Sequence, residues 1–506
     1  MAKTKFALLA GTLLASTALL AAPAMAASET KAPSNQELLE RIEQLEQEVK
    51  ESKEDQEKTS ARLSPIEDSY KDARWSYSNG RPKIQSGDGR FELAFRARFH
   101  ADAGSYFQDD NLPASVTTGR DLDSGAFIRR AQFGVEGKVF KDFWYEIRYE
   151  FGGSGTEGSG TINLMRVAYQ GIPNFRVNVG VIQPVFTHAD AVSSNEITFI
   201  ERAAVINTIV GSYGGSDSRR GVEATFQKSG LLYEGDNFVL TGAYTGSSTT
   251  TADGTDEGTQ ILGRTAFRLW SDGVSNIQIG ADGAKILQPT GVGPGGAKTV
   301  QLRDRPEFRS DGTRLVDSGA IPAEGGWLYG FEGGANFKNF YVAGEYYKFG
   351  VDRDLGCFPV ATCPRTAADP EFTGWYAEGS WVLTGQPKTY SAKSNSNQVG
   401  VWGSPTVIRP FSIKDGGWGV FELTGRYSVL DLNFREGAAG TAIDTAGGSI
   451  RGGEQTIWTV GLNWYMNANI RMMFNYLNID VDRMNAAGLR AGQELDAVAG
   501  RLQFAF

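Results

Sequence analysis

The chain shows a helical hydrophobic period near its beginning and a two-residue period over the rest. Between residues 34 and 66, apolar side chains recur in steps of four, three and four, at Leu38, Ile42, Leu45 and Val49. This spacing predicts the seam of a short coiled coil. The charges beside the seam suit parallel identical chains, so we expect these four residues to support a homo-oligomer. The alternative is a solvated charged helix that contacts nothing.

From residue 90 onward, apolar and polar residues alternate, as in Phe91, Leu93 and Phe95 against Glu92 and Arg96. A soluble sandwich would give the same pattern over a few strands. Repetition at strand lengths near ten residues, with aromatic residues near the strand ends, is typical of membrane barrels. Sixteen such segments occur before the chain ends, joined alternately by tight turns and longer loops.

The sequence therefore predicts an all-β fold: a transmembrane antiparallel β-barrel of 16 strands, preceded by a short N-terminal coiled-coil helix. The last strand ends on Phe506, which looks like the signal by which outer-membrane barrels are recognised for assembly. One connection, 386–417, is long although it falls on the side of the tight turns. Either it is an unusual periplasmic segment, or the strand register slips there. A barrel of this width encloses an aqueous channel unless a loop plugs it.

The first 26 residues have the pattern of an export signal. Lys3 and Lys5 precede an apolar run that ends at the small-residue site Ala24-Met25-Ala26. We expect a location in the cell outer membrane of a Gram-negative bacterium. The predicted domains are a signal peptide at 1–26, a periplasmic coiled-coil segment and linker at 27–89, and a transmembrane β-barrel domain at 90–506.

Composition narrows the function. Glycine is abundant, at 63 of 506 residues, and proline is scarce, at 17, which suits short strands joined by glycine turns. The net charge of −9 does not favour nucleic-acid binding. Cys357 and Cys363 lie too close together for a zinc site without nearby histidines, so a small loop disulfide is expected in an oxidising compartment. No metal and no cofactor are expected.

Because the net charge is negative, any anion selectivity has to come from the placement of cations. Arginine outnumbers lysine after residue 90, and the guanidinium fork matches phosphate oxygens. Strand parity places about a dozen arginines on the lumen face. These are Arg96, Arg98, Arg130, Arg148, Arg166, Arg176, Arg219, Arg264, Arg268, Arg426, Arg471 and Arg501.

Two interpretations of these arginines stay open. Rings of arginine or lysine form anion pores, but lumen acids such as Glu146 and Glu223 would instead pair with the arginines and rigidify the wall. The loop from Pro184 to Asp217 is apolar for an external loop, so we expect it to fold inward and direct Arg202 toward the constriction. A local salt bridge between Glu201 and Arg202 is the alternative role for that residue.

An enzyme is not expected. A barrel lipase needs a serine nucleophile with a histidine base, and only His100 and His188 are present. Neither lies near a Gly-x-Ser-x-Gly turn. A purely structural protein that tethers the membrane to the cell wall would have a plugged lumen and no conductance.

Several sequence blocks resemble the phosphate-selective porin O and P family, from about residue 90 to the C-terminus. They are Phe127-Ile128-Arg129-Arg130, Thr198-Phe199-Ile200-Glu201-Arg202, Gly374-Trp375-Tyr376 with Leu383-Thr384-Gly385, Phe421-Glu422-Leu423 with Arg426-Tyr427, and Gly461-Leu462-Asn463-Trp464-Tyr465-Met466-Asn467. The resemblance implies a homotrimer in outer-membrane lipid, an inward third loop, and an arginine track for inorganic phosphate or other small anions.

Carried over to matching positions, the resemblance indicates Arg129, Arg130, Arg202, Arg219 and Arg220. Two of these, Arg129 and Arg220, have the apolar parity and are expected at an aqueous rim or an interface. The predicted function is an outer-membrane porin with a water-filled, arginine-lined channel for passive diffusion of phosphate or related anions. The alternative is a general, weakly selective porin for small hydrophilic solutes. The candidate pore-lining residues are Arg96, Arg98, Arg129, Arg130, Arg148, Arg176, Arg202, Arg219, Arg220 and Arg426.

Overall fold

The chain forms two compact units, residues 1–68 and 69–506. The predicted leader and both cysteines, Cys357 and Cys363, lie outside the described residues, so the signal peptide and the disulfide stay predictions. The computed structural model describes residues 34–71, 73–78, 80–153, 160–215, 218–249, 257–291, 298–355 and 367–506.

The structure describes the first unit from residue 34 onward, and nearly all of this part is one helix, α1 (Asn35–Lys71). Ser34 starts it, because the Glu37 N–H donates to Ser34 Oγ and the Ser34 N–H donates to Glu37 Oε2, which is a capping box. The seam residues Leu38, Ile42, Leu45 and Val49 are each about half exposed in a single chain. Their association with other chains stays a prediction. Across the described residues, no helix combines the length and the apolar character needed to cross a bilayer.

The second unit is a closed antiparallel barrel of 16 strands. They are β3 (Glu92–Gln108), β4 (Gly125–Val139), β5 (Phe143–Glu150), β6 (Thr161–Tyr169), β7 (Phe175–Ile182), β8 (Arg219–Ser229), β9 (Asn237–Ser248), β10 (Thr259–Ser271), β11 (Asn276–Gln288), β13 (Val316–Phe337), β14 (Phe340–Arg353), β15 (Glu371–Val382), β18 (Val420–Phe434), β19 (Ile450–Tyr465), β20 (Ile470–Asp482) and β21 (Glu494–Ala505). The remaining strands are β1 (Arg74–Ser78), β2 (Arg81–Gln85), β12 (Thr299–Asp304), β16 (Lys388–Ser391) and β17 (Val401–Pro405).

The barrel closes where the last strand meets the first. β21 pairs with β3 in the register Leu502↔Ala101 and Phe504↔Phe99. Beside this seam, the Arg501 guanidinium donates to both oxygens of Asp102 at 2.7 Å, and both side chains are buried. The closure and the strand number confirm the predicted fold class.

Alternation separates an apolar outer face from a polar inner face. Side chains such as Phe133, Ile147, Val342 and Phe474 point outward and are about half exposed. Their neighbours along each strand point inward, where charged and amide side chains are buried. An apolar outer band of this kind is what a lipid-facing surface requires.

The connection 386–417 is an unusual segment and not a register slip, because β15 and β18 pair continuously, with Val382 opposite Glu422. The segment carries the hairpin β16–β17, which we call the lumen hairpin (residues 386–417). It folds back into the barrel. Arg264 on the wall donates to the Val399 and Gly400 carbonyls at 2.9 and 2.8 Å.

The segment between β7 and β8, which the structure describes at residues 183–215 and 218, folds into the lumen, as its apolar composition predicted. We call it loop 3; it contains α2 (His188–Ala191) and α3 (Ala204–Ser212). Glu345 on β14 accepts from the His188 and Ala189 N–H groups at 3.1 and 2.8 Å. Ile206 and Ile209 on α3 are fully buried in an apolar cluster against the wall. Loop 3 therefore fills one side of the lumen.

Candidate functional site

Three cavities lie in series between loop 3 and the wall formed by β3 to β6. The upper cavity has a volume of about 260 Å³, the middle one about 50 Å³ and the lower one about 10 Å³. The upper and middle cavities share Gln183 and Asp190 in their linings, and the middle and lower cavities share three arginines. Since the lower cavity reaches Phe506, the series leads to the short-turn end of the barrel.

Arginines dominate the linings of this series. The upper cavity is lined by Arg129, Arg130, Arg202 and Arg309 together with Glu150, Asp190 and Glu201. The middle cavity is lined by Arg96, Arg98, Arg148 and Arg166 together with Glu146 and Asp190. The arginines of the lower cavity are again Arg96, Arg98 and Arg148. Because the cations outnumber the carboxylates in each lining, the series favours anions.

Two of the carboxylates that line the cavities, Glu146 and Glu201, each bind several arginines. Glu146 binds Arg148 and, at 2.8 Å, Arg166. Glu201 of loop 3 accepts from Arg129 Nε at 2.6 Å and also binds Arg501 at 3.2 Å. One carboxylate cannot cancel the charge of several guanidinium groups, so positive charge remains along the series.

Arg130 differs from these arginines because no ion pair of its guanidinium occurs among the described residues. Its side chain is buried, and Nη1 lies 3.5 Å from His100 Nδ1. The upper cavity is the space beside it. A buried guanidinium that is not paired with a carboxylate keeps its charge for a ligand.

A β-bulge explains why Arg129 also lies on the lumen side. His100 pairs with Arg130 and Ala101 pairs with Ile128, so Arg129 is the extra residue. A bulge of this kind re-aims a side chain, and Arg129 contacts Glu201 inside the barrel. The expectation that Arg129 serves a rim or an interface was therefore wrong.

Other candidate residues lie away from the cavities. Arg176 donates to Ser396 of the lumen hairpin at 2.6 Å, and Arg219 donates to the Gly211 carbonyl of loop 3 at 2.6 Å. Arg426 is buried against Glu307. The Arg220 side chain is about half exposed, next to Glu257. These four contacts fasten loops and wall, whereas Arg96, Arg98, Arg129, Arg130, Arg148 and Arg202 line the series.

Sequence parity did not identify Arg309, which lines the upper cavity. It lies between β12 and β13, outside any alternating segment, and its Nε is 3.3 Å from Glu201. Residues Ser396 and Asn397 of the lumen hairpin were also not foreseen as part of the middle cavity.

One group of three carboxylates among the described residues has a metal-like spacing: Asp282, Glu332 and Glu345. Glu332 accepts two hydrogen bonds from Arg264, at 2.8 and 2.7 Å. Glu345 accepts from Tyr376 Oη at 2.5 Å as well as from loop 3. The group therefore fastens loop 3 to the wall through Glu345 and holds the Arg264 side chain in place through Glu332.

The pKa values of Glu201 and His188, both in loop 3, are shifted from their usual values. Burial alone would raise the pKa of Glu201, but the guanidinium groups of Arg129 and Arg309 hold it well below its usual value. Burial lowers the pKa of His188 to about 4. Loop 3 therefore carries an ionised Glu201 and a neutral His188 at neutral pH.

We expect acidification from pH about 7 to about 4.5 to lower the stability of the wild-type protein more than it lowers the stability of the His188→Phe variant. The unfolded chain protonates His188 below a pH of about 6.5, but the folded protein does so only below about 4. Its stabilising contribution is therefore lost as the pH falls through that window. Melting temperatures of both proteins across the window test this, and parallel curves would contradict it.

Comparisons with known proteins show which chains this one is similar to. A family model described as phosphate-selective porin O and P matches residues 93–506. Porin O of Pseudomonas aeruginosa is 21% identical over 450 residues, which cover 85% of this chain and 92% of that protein. A Caulobacter vibrioides protein described as uncharacterized is 26% identical over 435 residues, covering 82% of this chain and 76% of that protein. Among solved structures, an anion-selective porin from Comamonas acidovorans aligns with a TM-score of 0.48 and 12% identity, covering 82% of this chain and 100% of that one.

Proposed function

We propose, from the premise that the chain belongs to the family of phosphate-selective porins O and P, that its arginine-lined cavities conduct phosphate or related small anions by passive diffusion. Membership makes the chain a porin of the Gram-negative outer membrane and a channel rather than an enzyme. What this proposal adds is the anion path and the residues that line it.

The observation that carries the proposal is the excess of arginine over carboxylate along the three cavities. Arg130 supports it further, because this buried side chain has no ion pair among the described residues. Guanidinium donors match phosphate oxygens in geometry as well as in charge. The upper cavity is therefore the proposed anion site.

The second candidate function is a general porin that passes small hydrophilic solutes. It is favoured by the ion pairs of Glu146 and Glu201, each of which engages several lumen arginines. Arginines held in this way stiffen the wall and offer fewer donors to a solute. The two functions differ in whether phosphate inhibits the current of another anion.

Arg130→Ala is expected to raise the phosphate concentration that half-blocks chloride current by about ten-fold or more, because a hydrogen bond to a charged group contributes about 1.5–3 kcal/mol. The measurement is single-channel current of the purified protein in a planar bilayer, in chloride, with phosphate added stepwise. Wild-type current should fall in a saturable way.

Arg490→Ala is the matched control, since the Arg490 side chain is exposed in an external loop and pairs with Glu494. Phosphate should half-block the chloride current through Arg490→Ala at the same concentration as in the wild type. If the wild-type current is indifferent to phosphate, the general porin is the correct function. If phosphate blocks the wild type and Arg130→Ala at the same concentration, the anion site lies elsewhere in the series.

We also propose that the protein assembles as a homotrimer, with the exposed seam of α1 contributing to assembly. The half-exposed side chains of Leu38, Ile42, Leu45 and Val49 support this, because an apolar seam of this spacing is buried when helices associate. Three chains would place three separate pores side by side in the membrane.

A further inference from the structure

The structure points to a role for His100 in the anion site, which no feature of the sequence suggested. His100 is fully buried on β3, directly opposite Arg130 in the strand register. We propose that His100 is a positioning residue, which orients the Arg130 guanidinium toward the upper cavity without neutralising it. The inference rests on the proposed function, because it concerns the same site.

The contacts of the imidazole ring define which nitrogen carries the proton. His100 Nε2 lies 3.1 Å from Asn195 Oδ1 of loop 3, and an amide oxygen only accepts. Nε2 is therefore the donor, and the lone pair of Nδ1 faces Arg130 Nη1 at 3.5 Å. A guanidinium only donates, so both neighbours require the same tautomer.

A neutral acceptor binds the Arg130 guanidinium without neutralising its charge, whereas a carboxylate would neutralise it. Arg129 is paired with Glu201, and Arg148 is paired with Glu146. An imidazole satisfies one donor of Arg130 but leaves its charge intact. The fork of remaining donors is then available to an anion in the upper cavity.

The surroundings explain why Arg130 needs such a partner. Arg98, Arg129 and Arg501 lie within electrostatic range and repel it, while Glu201 is the nearby carboxylate. Glu201 already binds Arg129 and Arg501. Without His100, the Arg130 side chain would reorient toward Glu201 and give that carboxylate the donors that would otherwise bind an anion.

Two isosteres of histidine separate the two ring contacts. In His100→Asn the side-chain oxygen replaces Nδ1, so the acceptor for Arg130 is kept. In His100→Gln the amide nitrogen replaces Nε2, so the donor to Asn195 and the anchor of loop 3 are kept, but the acceptor for Arg130 is lost. Both variants carry the same net charge as the wild type with neutral histidine.

We expect His100→Gln to raise the half-blocking concentration of inorganic phosphate about five-fold, and His100→Asn to stay within about two-fold of the wild type. The chloride-to-potassium selectivity from reversal potentials should stay unchanged in both, because no charge is removed. Arg130→Ala should change both the block and the selectivity. In the Arg130→Ala background, His100→Gln should have no further effect.

The outcomes distinguish this inference from the proposed function. If Arg130→Ala weakens the block but His100→Gln does not, or if the two effects add, His100 does not act through Arg130 and the inference is wrong. If Arg130→Ala leaves the block unchanged, the proposed anion site itself is wrong. Should His100→Gln fail to fold, Asn195→Ala frees the same ring from the loop side, and an unweakened phosphate block in that variant would overturn the inference.

Discussion

A chain without residues 387–416 is expected to conduct ions at roughly twice the wild-type level or more, and to lose most of its phosphate block. The lumen hairpin occupies space that a 16-stranded barrel would otherwise leave to water. Trp402, which is 2% exposed, contacts the wall through Asn336, and Ser396 lines the middle cavity. Deletion widens the path, so an anion passes at a greater distance from the arginines.

The measurement is single-channel conductance in potassium chloride, followed by phosphate titration. Residues 383–386 joined to 417–419 leave a short connection between β15 and β18, comparable with the other turns at that end. Trp402→Ala is the graded control, because it loosens the hairpin without removing it. An unchanged conductance in the deletion would show that the hairpin lies outside the conducting section.

Glu201→Gln is expected to cost about 3–5 kcal/mol of stability, since removal of one partner leaves buried charges without compensation. The Glu201 side chain is buried and holds Arg129, Arg309 and Arg501. The same change removes a negative charge from the lining of the upper cavity. Molecules that remain folded should therefore be more anion-selective than the wild type.

Glu201→Gln should therefore lower the stability of the protein and raise its anion selectivity, and the two quantities are measured separately. Unfolding in denaturant gives the stability, and reversal potentials in a salt gradient give the selectivity. Glu494→Gln, at an exposed external position, should alter neither. Wild-type values for both quantities in Glu201→Gln would mean that Glu201 does not hold the three arginines together.

The fold was predictable because membrane strands repeat one simple pattern. Each strand needs an apolar residue at every second position, so strand number and turn positions are visible in the sequence. The polar face was visible in the same way, and Arg96, Arg98 and Arg148 do line the cavities.

The remainder of the site depends on a bulge and on irregular segments, which leave no repeating pattern of apolar and polar residues in the sequence. The extra residue at Arg129 shifts the parity of one strand end, and a bulge of this kind leaves no signature in alternation. Arg309 and the lumen hairpin belong to irregular segments whose partners are distant in sequence. Their positions depend on contacts such as that of Arg264 with Gly400, which form only after the wall exists.

The seam between β21 and β3 has a consequence for how the protein reaches its folded state. It joins Arg501 to Asp102, which are 399 positions apart in the chain. Contacts between such distant residues form slowly, because the intervening chain must first be ordered. The wall cannot close before the last strand has been synthesised and delivered, and until then both edge strands expose unpaired backbone groups. Assembly therefore requires that an open, aggregation-prone sheet be protected up to its final pairing step, and a deletion within β21 should be as damaging as one in the middle of the barrel.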